Sequence, residues 1–92
     1  MSRPTNIIFI GKKPILTYVN ATLTLLSNEP TVTIKARGKN ITFAVDVSQM
    51  IVKRMNAVGY RVSSVRIFSE KLTSQDGKER SISVMEVDVS RT

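Results

Sequence analysis

The chain contains no cysteine and no histidine among its 92 residues. Without cysteine there is no disulfide to staple the fold, and no thiolate to ligate a metal or act as a nucleophile. Without histidine, the commonest metal ligand and the side chain best suited to moving protons near neutral pH are both missing. Carboxylates do little to replace them. Glu86 and Asp88 form the one close pair, two apart on the polar parity of a strand, where a solvent-facing strand explains them. Asp46 stands alone on a predicted helix and reads as a structural hydrogen-bonding or ion-pair residue. Neither an enzyme, nor a metal centre, nor a cofactor is expected.

Long hydrophobic runs are missing too. No stretch approaches the roughly 18 apolar residues of a spanning helix, and the start of the chain has neither the basic region nor the apolar core of a signal peptide. The expectation is a cytoplasmic protein without a membrane partner. Negative charge is scarce: 7 Asp and Glu face 14 Lys and Arg, a formal charge of +7 and a sequence pI near 10.3. Surplus lysines also serve solubility, but such a balance favours polyanionic partners. The excess is uneven. Residues 1–39 carry six cations (Arg3, Lys12, Lys13, Lys35, Arg37, Lys39) and one anion (Glu29), whereas residues 40–92 carry eight and six.

With 41% hydrophobic residues, a chain of this length supports one modest core, so residues 1–92 are read as a single domain. Asn6, Ile7, Ile8, Phe9 and Ile10 are apolar without alternation and end at Gly11, which predicts a central strand buried on both sides. Pro14 then opens a helix in which Leu16, Val19, Leu23 and Leu26 recur at helical spacing until Ser27, Asn28, Glu29 and Pro30 interrupt it. Thr31 to Arg37 alternates: Val32, Ile34 and Ala36 face one way, Thr33, Lys35 and Arg37 the other. After Gly38 a second helix is expected over about Asn40–Asn56, with Asn40 as its cap. Its broad face is Ile41, Ala44, Val45, Ser48, Ile51, Val52 and Met55.

Gly59 ends that helix. Arg61–Thr73 and Arg80–Arg91 form a hairpin around Asp76 and Gly77. In its second strand Ile82 and Val84 hold one parity and Met85, Val87 and Val89 the other, which calls for a bulge or a change of environment. The base of the hairpin is expected on the body and its outer part as an arm. The fold class is therefore α+β: a two-layer α/β sandwich, β-α-β-α-β-β, with a mixed four-stranded sheet and a long projecting C-terminal β-hairpin.

Two turns carry the charge. Gly11, Lys12, Lys13 and Pro14 join strand to helix, where free backbone N–H groups and a helix dipole attract phosphate. This is not a nucleotide-hydrolysing loop, since the upstream glycine is missing and Pro14 replaces the magnesium-binding hydroxyl. The second strand ends likewise in Lys35, Ala36, Arg37, Gly38, Lys39 and Asn40. If the two strands are parallel, both turns emerge at the carboxyl end of the sheet, and Lys12, Lys13, Arg37 and Lys39 share one surface. The hairpin tip, Ser74 to Arg80, mixes signs, yet Lys71, Lys78 and Arg80 could enter or straddle a groove. On the second helix, Phe43, Val47 and Met50 form a further apolar cluster opposite the core face, which predicts a dimer interface.

The run Ile10, Gly11, Lys12, Lys13, Pro14 with Tyr18 and Val19, then Ile34, Lys35, Ala36, Arg37, Gly38, Lys39, then Ala44, Val45, Asp46, resembles Alba, the archaeal chromatin protein family. The resemblance spans nearly the whole chain. It implies a homodimer, or a heterodimer with a paralogue, that coats and compacts double-stranded DNA through its backbone while hairpin arms reach into neighbouring minor grooves, and it implies association with the chromosome. It places phosphate contacts on Lys12, Lys13, Arg37 and Lys39, with Asn40 beside them, and arm contacts around Lys78 and Arg80. It marks Lys12 for acetylation. RNA is the second ligand it implies, because ribonucleoprotein subunits share the wider superfamily. The chain departs from the family at Phe43, where a lysine is common, and at Met55, where a phenylalanine helps dimers associate side by side.

Overall fold

In a computed structural model of the chain, which describes residues 6–55 and 59–91, the order is β1 (Ile7–Phe9), α1 (Ile15–Leu26), β2 (Thr31–Arg37), a 3₁₀ turn (Gly38–Asn40), α2 (Ile41–Arg54), β3 (Tyr60–Thr73) and β4 (Glu79–Arg91). The four strands form one mixed sheet in the order β1-β2-β4-β3. β1 is parallel to β2, and β4 is antiparallel to both β2 and β3. Both helices pack on one face, so the α+β class and the element order are as the sequence implies. Among the described residues no helix is long and apolar enough to cross a membrane.

Alternation in β2 decides which face is covered. Val32, Ile34 and Ala36 are buried, and they meet Val89, Val87 and Met85 across the β2–β4 ladder. Val19, Val47 and Ile51 close over them from the helices and are fully buried. Removing each such side chain from water is worth about 1.5–3 kcal/mol. Two polar residues enter this layer because they satisfy themselves within their own helix: the Thr22 hydroxyl donates to the Tyr18 carbonyl at 2.7 Å and Ser48 to Val45 at 2.8 Å.

Several expectations need correction. β1 is a three-residue edge strand paired only with β2, because the helices cover one face and leave Phe9 on the other, exposed. An unbroken apolar run shows that a strand is buried somewhere, not where it lies in the sheet. Leu16 points to solvent, and Tyr18 and Thr22 take its place on the inner face of α1. On α2 the buried stripe is Ala44, Val47, Ser48 and Ile51, rotated from the predicted face, so Val45 is exposed and Val47 belongs to the core. Met50 and Met55 also pack against the core. The predicted outer cluster thus reduces to Phe43, and Val47 is not a surface residue. Asn40 makes no side-chain capping bond, and the predicted end at Asn56 lies outside the described residues.

The hairpin is as predicted to within a residue, and the parity switch in its second strand is a change of environment, since Val84 is buried apart from the core cluster that holds Val87 and Val89; the bulge sits on the other strand. β4 pairs without interruption from Thr31↔Ser90 to Arg37↔Val84. The register shift is in β3, between Val62 and Ser64. The extra residue lets Val62, Val65 and Ile67 all take the helix side, while Ser64, Arg66 and Phe68 take the other. Beyond Arg37, β4 has only β3 as a neighbour. Five cross-strand pairs, Ser69↔Ser83 to Thr73↔Glu79, therefore form an arm about 17 Å long, consistent with a longest dimension of 50 Å.

Candidate nucleic-acid interface

Parallel pairing of β1 and β2 puts the turn after each at the same end of the sheet. β4 runs the opposite way, so its unpaired start, and the arm with it, projects past that same end. Three basic segments distant in sequence are thereby collected: Lys12 and Lys13 after β1, Lys39 after β2, and Lys78 with Arg80 on the arm. All five side chains are exposed, and no salt bridge to any of them is formed among the described residues.

The first turn is built by Tyr18. Its buried phenolic oxygen accepts the backbone N–H of Gly11 at 2.8 Å and of Lys13 at 2.9 Å. The fit is close, since a Cβ on Gly11 would lie 3.3 Å from that oxygen. Two of the N–H groups expected to face phosphate are therefore already satisfied. What this turn offers an anion is mainly the pair of lysine side chains.

The second turn depends on Gly38, whose φ of 56° lies in the left-handed region and whose missing Cβ leaves room for Ile82 at 3.4 Å. It brings Lys39 and Asn40 round to the start of α2. Arg37, the other cation expected at this turn, forms an ion pair. Its Nε donates to Glu70 Oε1 at 2.7 Å. This bond holds the Glu70 carboxyl below the ordinary glutamate value and raises the Arg37 guanidinium above its own.

The arm ends in an ordered turn. Ser74 N–H donates to the Lys78 carbonyl at 2.9 Å and Gly77 N–H to the Ser74 carbonyl at 2.9 Å, with Gly77 at φ 80°. Asp76 accepts from the Ser74 hydroxyl and, at 3.2 Å, from the Lys78 N–H. Those bonds lower its pKa, the Ser74 contact most. Asp76 thus serves the turn while Lys78 and Arg80 remain outward.

Sequence reasoning missed a network on the helix-free face. Arg66 donates through Nε to Glu86 at 2.9 Å and through Nη1 and Nη2 to Asp88 at 2.9 and 2.8 Å. Thr33 donates to Asp88 at 2.7 Å. Lys35 reaches Glu86 at 3.5 Å and stands 5.7 Å from the Phe68 ring centroid. Arg66 holds both carboxylates below their ordinary values, so this pair is a structural clamp across strands. Alternation placed Thr33, Lys35, Glu86 and Asp88 on polar faces, but only the register joins them. Asp46 is exposed on α2 and forms no salt bridge among the described residues.

A family model described as Alba matches residues 6–69. The DNA/RNA-binding protein Alba of Nitrosopumilus maritimus is 50% identical over 84 residues, covering 91% of this chain and 88% of its own. Among solved structures, Alba from Thermoplasma volcanium superposes with a TM-score of 0.84 at 37% identity over 94% of this chain and all of that one. ALBA1 from Trypanosoma brucei, at 22% identity and a TM-score of 0.76, covers 99% of this chain and 73% of that one and shares the fold.

Proposed function

This chain belongs to the Alba family, and from that premise we propose that it is a chromosomal protein that coats and compacts double-stranded DNA through phosphate contacts, with structured RNA as a second ligand. The observation that carries the reading is the gathering of Lys12, Lys13, Lys39, Lys78 and Arg80 at one end of the sheet. Phosphate contacts fix register and orientation without reading sequence.

The reading includes a dimer, with a second copy of the chain as the occupant of an apolar surface at the root of the arm. Ile67 is 74% exposed, and Val65 and Val45 are also open. A pocket of about 300 Å³ there is lined by Ile41, Ile67, Phe68, Ser69, Ser83 and Val84. Exposed apolar surface of this kind marks an interface. A two-fold pairing at the arm root presents two sets of basic turns and two arms to one duplex.

Titrating duplex binding against salt tests the proposal. Each phosphate contact adds roughly 0.9 to the magnitude of the log–log slope, so the observed dissociation constant rises steeply with salt and varies little with sequence. A constant that does not move with salt overturns it. Competition with structured RNA at matched salt ranks the two ligands.

A further inference from the structure

The chain has three phenylalanines, and all are at the surface: Phe9 is 59%, Phe43 36% and Phe68 40% exposed. Tyr18 and Tyr60, which carry a polar hydroxyl, are the buried aromatics. Phe9 and Phe68 share the sheet face that carries no helix. Phe9 is the register partner of Lys35, and the Lys35 ammonium lies 5.7 Å from the Phe68 centroid, so the two rings flank one lysine.

The charge pattern around them is specific. In the centre of the face Lys35 and Arg66 are neutralised by Glu86 and Asp88, and Arg37 by Glu70. Lys12 and Lys13, which form no salt bridge among the described residues, stand at the carboxyl rim just past Phe9. A duplex presents phosphates outward and hides its bases, so a charge-compensated, aromatic centre offers it nothing. A single strand presents both: unpaired bases for the rings and a phosphodiester chain for the rim.

We propose that the helix-free face of the sheet is a stacking platform for unpaired bases, with Phe9 and Phe68 as the stacking rings and Lys12 and Lys13 holding the backbone. Stacking on phenyl rings tolerates any base, since every base has a π face. Three strand steps separate β1 from β3, about 14 Å, so the rings take two bases that are not neighbours and Lys35 lies under the segment between them. The platform shares Lys12 and Lys13 with the duplex-binding end but takes its bases on the sheet face, and it does not require the duplex reading to hold.

The test uses the full chain and a Phe9→Leu/Phe68→Leu double variant, which keeps apolar bulk and removes both π faces at exposed positions. Binding is measured at one salt concentration to an oligouridine, an oligothymidine and a duplex of equal length. The platform predicts a loss of about tenfold or more on the single strands for the double variant, and a Phe9→Leu single variant, away from the arm root, weakens single-strand binding while leaving the duplex and the thermal midpoint unchanged. Equal losses on both single strands assign the site to unpaired bases in general, and a loss on oligouridine alone assigns it to RNA. Unchanged single-strand binding, or an equal loss on the duplex, overturns the proposal. Because Phe68 also borders the pocket at the arm root, the sedimented mass of the variant is measured. A fall in that mass shows the face covered by a second copy and overturns the platform as well. A parent that binds single strands but not duplex leaves the platform standing and removes the duplex reading instead.

Discussion

Arg37 and Glu70 are 33 residues apart and meet at 2.7 Å on the helix-free side of the sheet. The carboxylate occupies the Arg37 guanidinium, so under the proposed function Glu70 competes with phosphate for it. Glu70→Gln is expected to tighten duplex binding about two- to fivefold, the range of an exposed ion pair, and to steepen the salt slope. Arg37→Ala in the parent costs little. Equal affinities for Glu70→Gln and the parent would show that Arg37 takes no part in binding.

Lys12 makes no salt bridge among the described residues and stands at the entrance to α1. Acetylation removes its charge, and Lys12→Gln imitates that. The variant should bind duplex more weakly, with the slope reduced by roughly 0.9 for the lost contact. Parent-like binding at physiological salt would assign this lysine to solvent alone.

Tyr18 holds the turn that presents both lysines. Tyr18→Phe keeps the ring in place but leaves the Gly11 and Lys13 N–H groups without their acceptor. A loss of about 1–3 kcal/mol is expected from orphaning such groups, with faster amide exchange at Gly11 and Lys13 than elsewhere. If exchange at those two amides does not change, the phenol does not organise the turn.

Acid stability follows from the clamp on Asp88 and Glu86. Both carboxyls have folded-state values lowered by Arg66 from the ordinary 3.8 and 4.5. Their contribution is therefore fully present above those values and is lost as pH falls through the lowered folded ones. Stability should be flat with respect to this pair from pH 5 to 8 and drop below about pH 4. Asp88→Asn should flatten the acid limb in chemical denaturation. An unchanged limb would locate the acid sensitivity elsewhere.

Ile67 is the most exposed large hydrophobic residue at the proposed interface. Ile67→Glu should convert the protein at micromolar concentration to a 10.2 kDa monomer in sedimentation equilibrium and weaken duplex binding by removing one set of contacts. A parent that sediments as a monomer would remove the interface, and a dimer that survives Ile67→Glu would move it.

Periodicity determined much of the fold. Alternation in Thr31–Arg37, helical spacing before Pro30 and the Asp76–Gly77 turn each reflect a local rule that holds wherever the segment lies, so elements, order and arm were legible. The basic residues of both turns were legible for the same reason, since strand-to-helix junctions are marked by Gly11, Pro14 and Gly38.

Tertiary structure alone decided which groups remain available. That Arg37 is paired while Lys39 forms no salt bridge among the described residues depends on Glu70, which only the register of the hairpin brings near. That Val47 is core and Val45 surface depends on how α2 rotates against α1 and the sheet, a choice that a sequence with apolar residues around most of the helix leaves open. That Phe9 is exposed depends on β1 being an edge covered on one side. These outcomes are set by packing between segments distant in the chain, and a one-dimensional pattern of hydrophobic spacing carries no term for them.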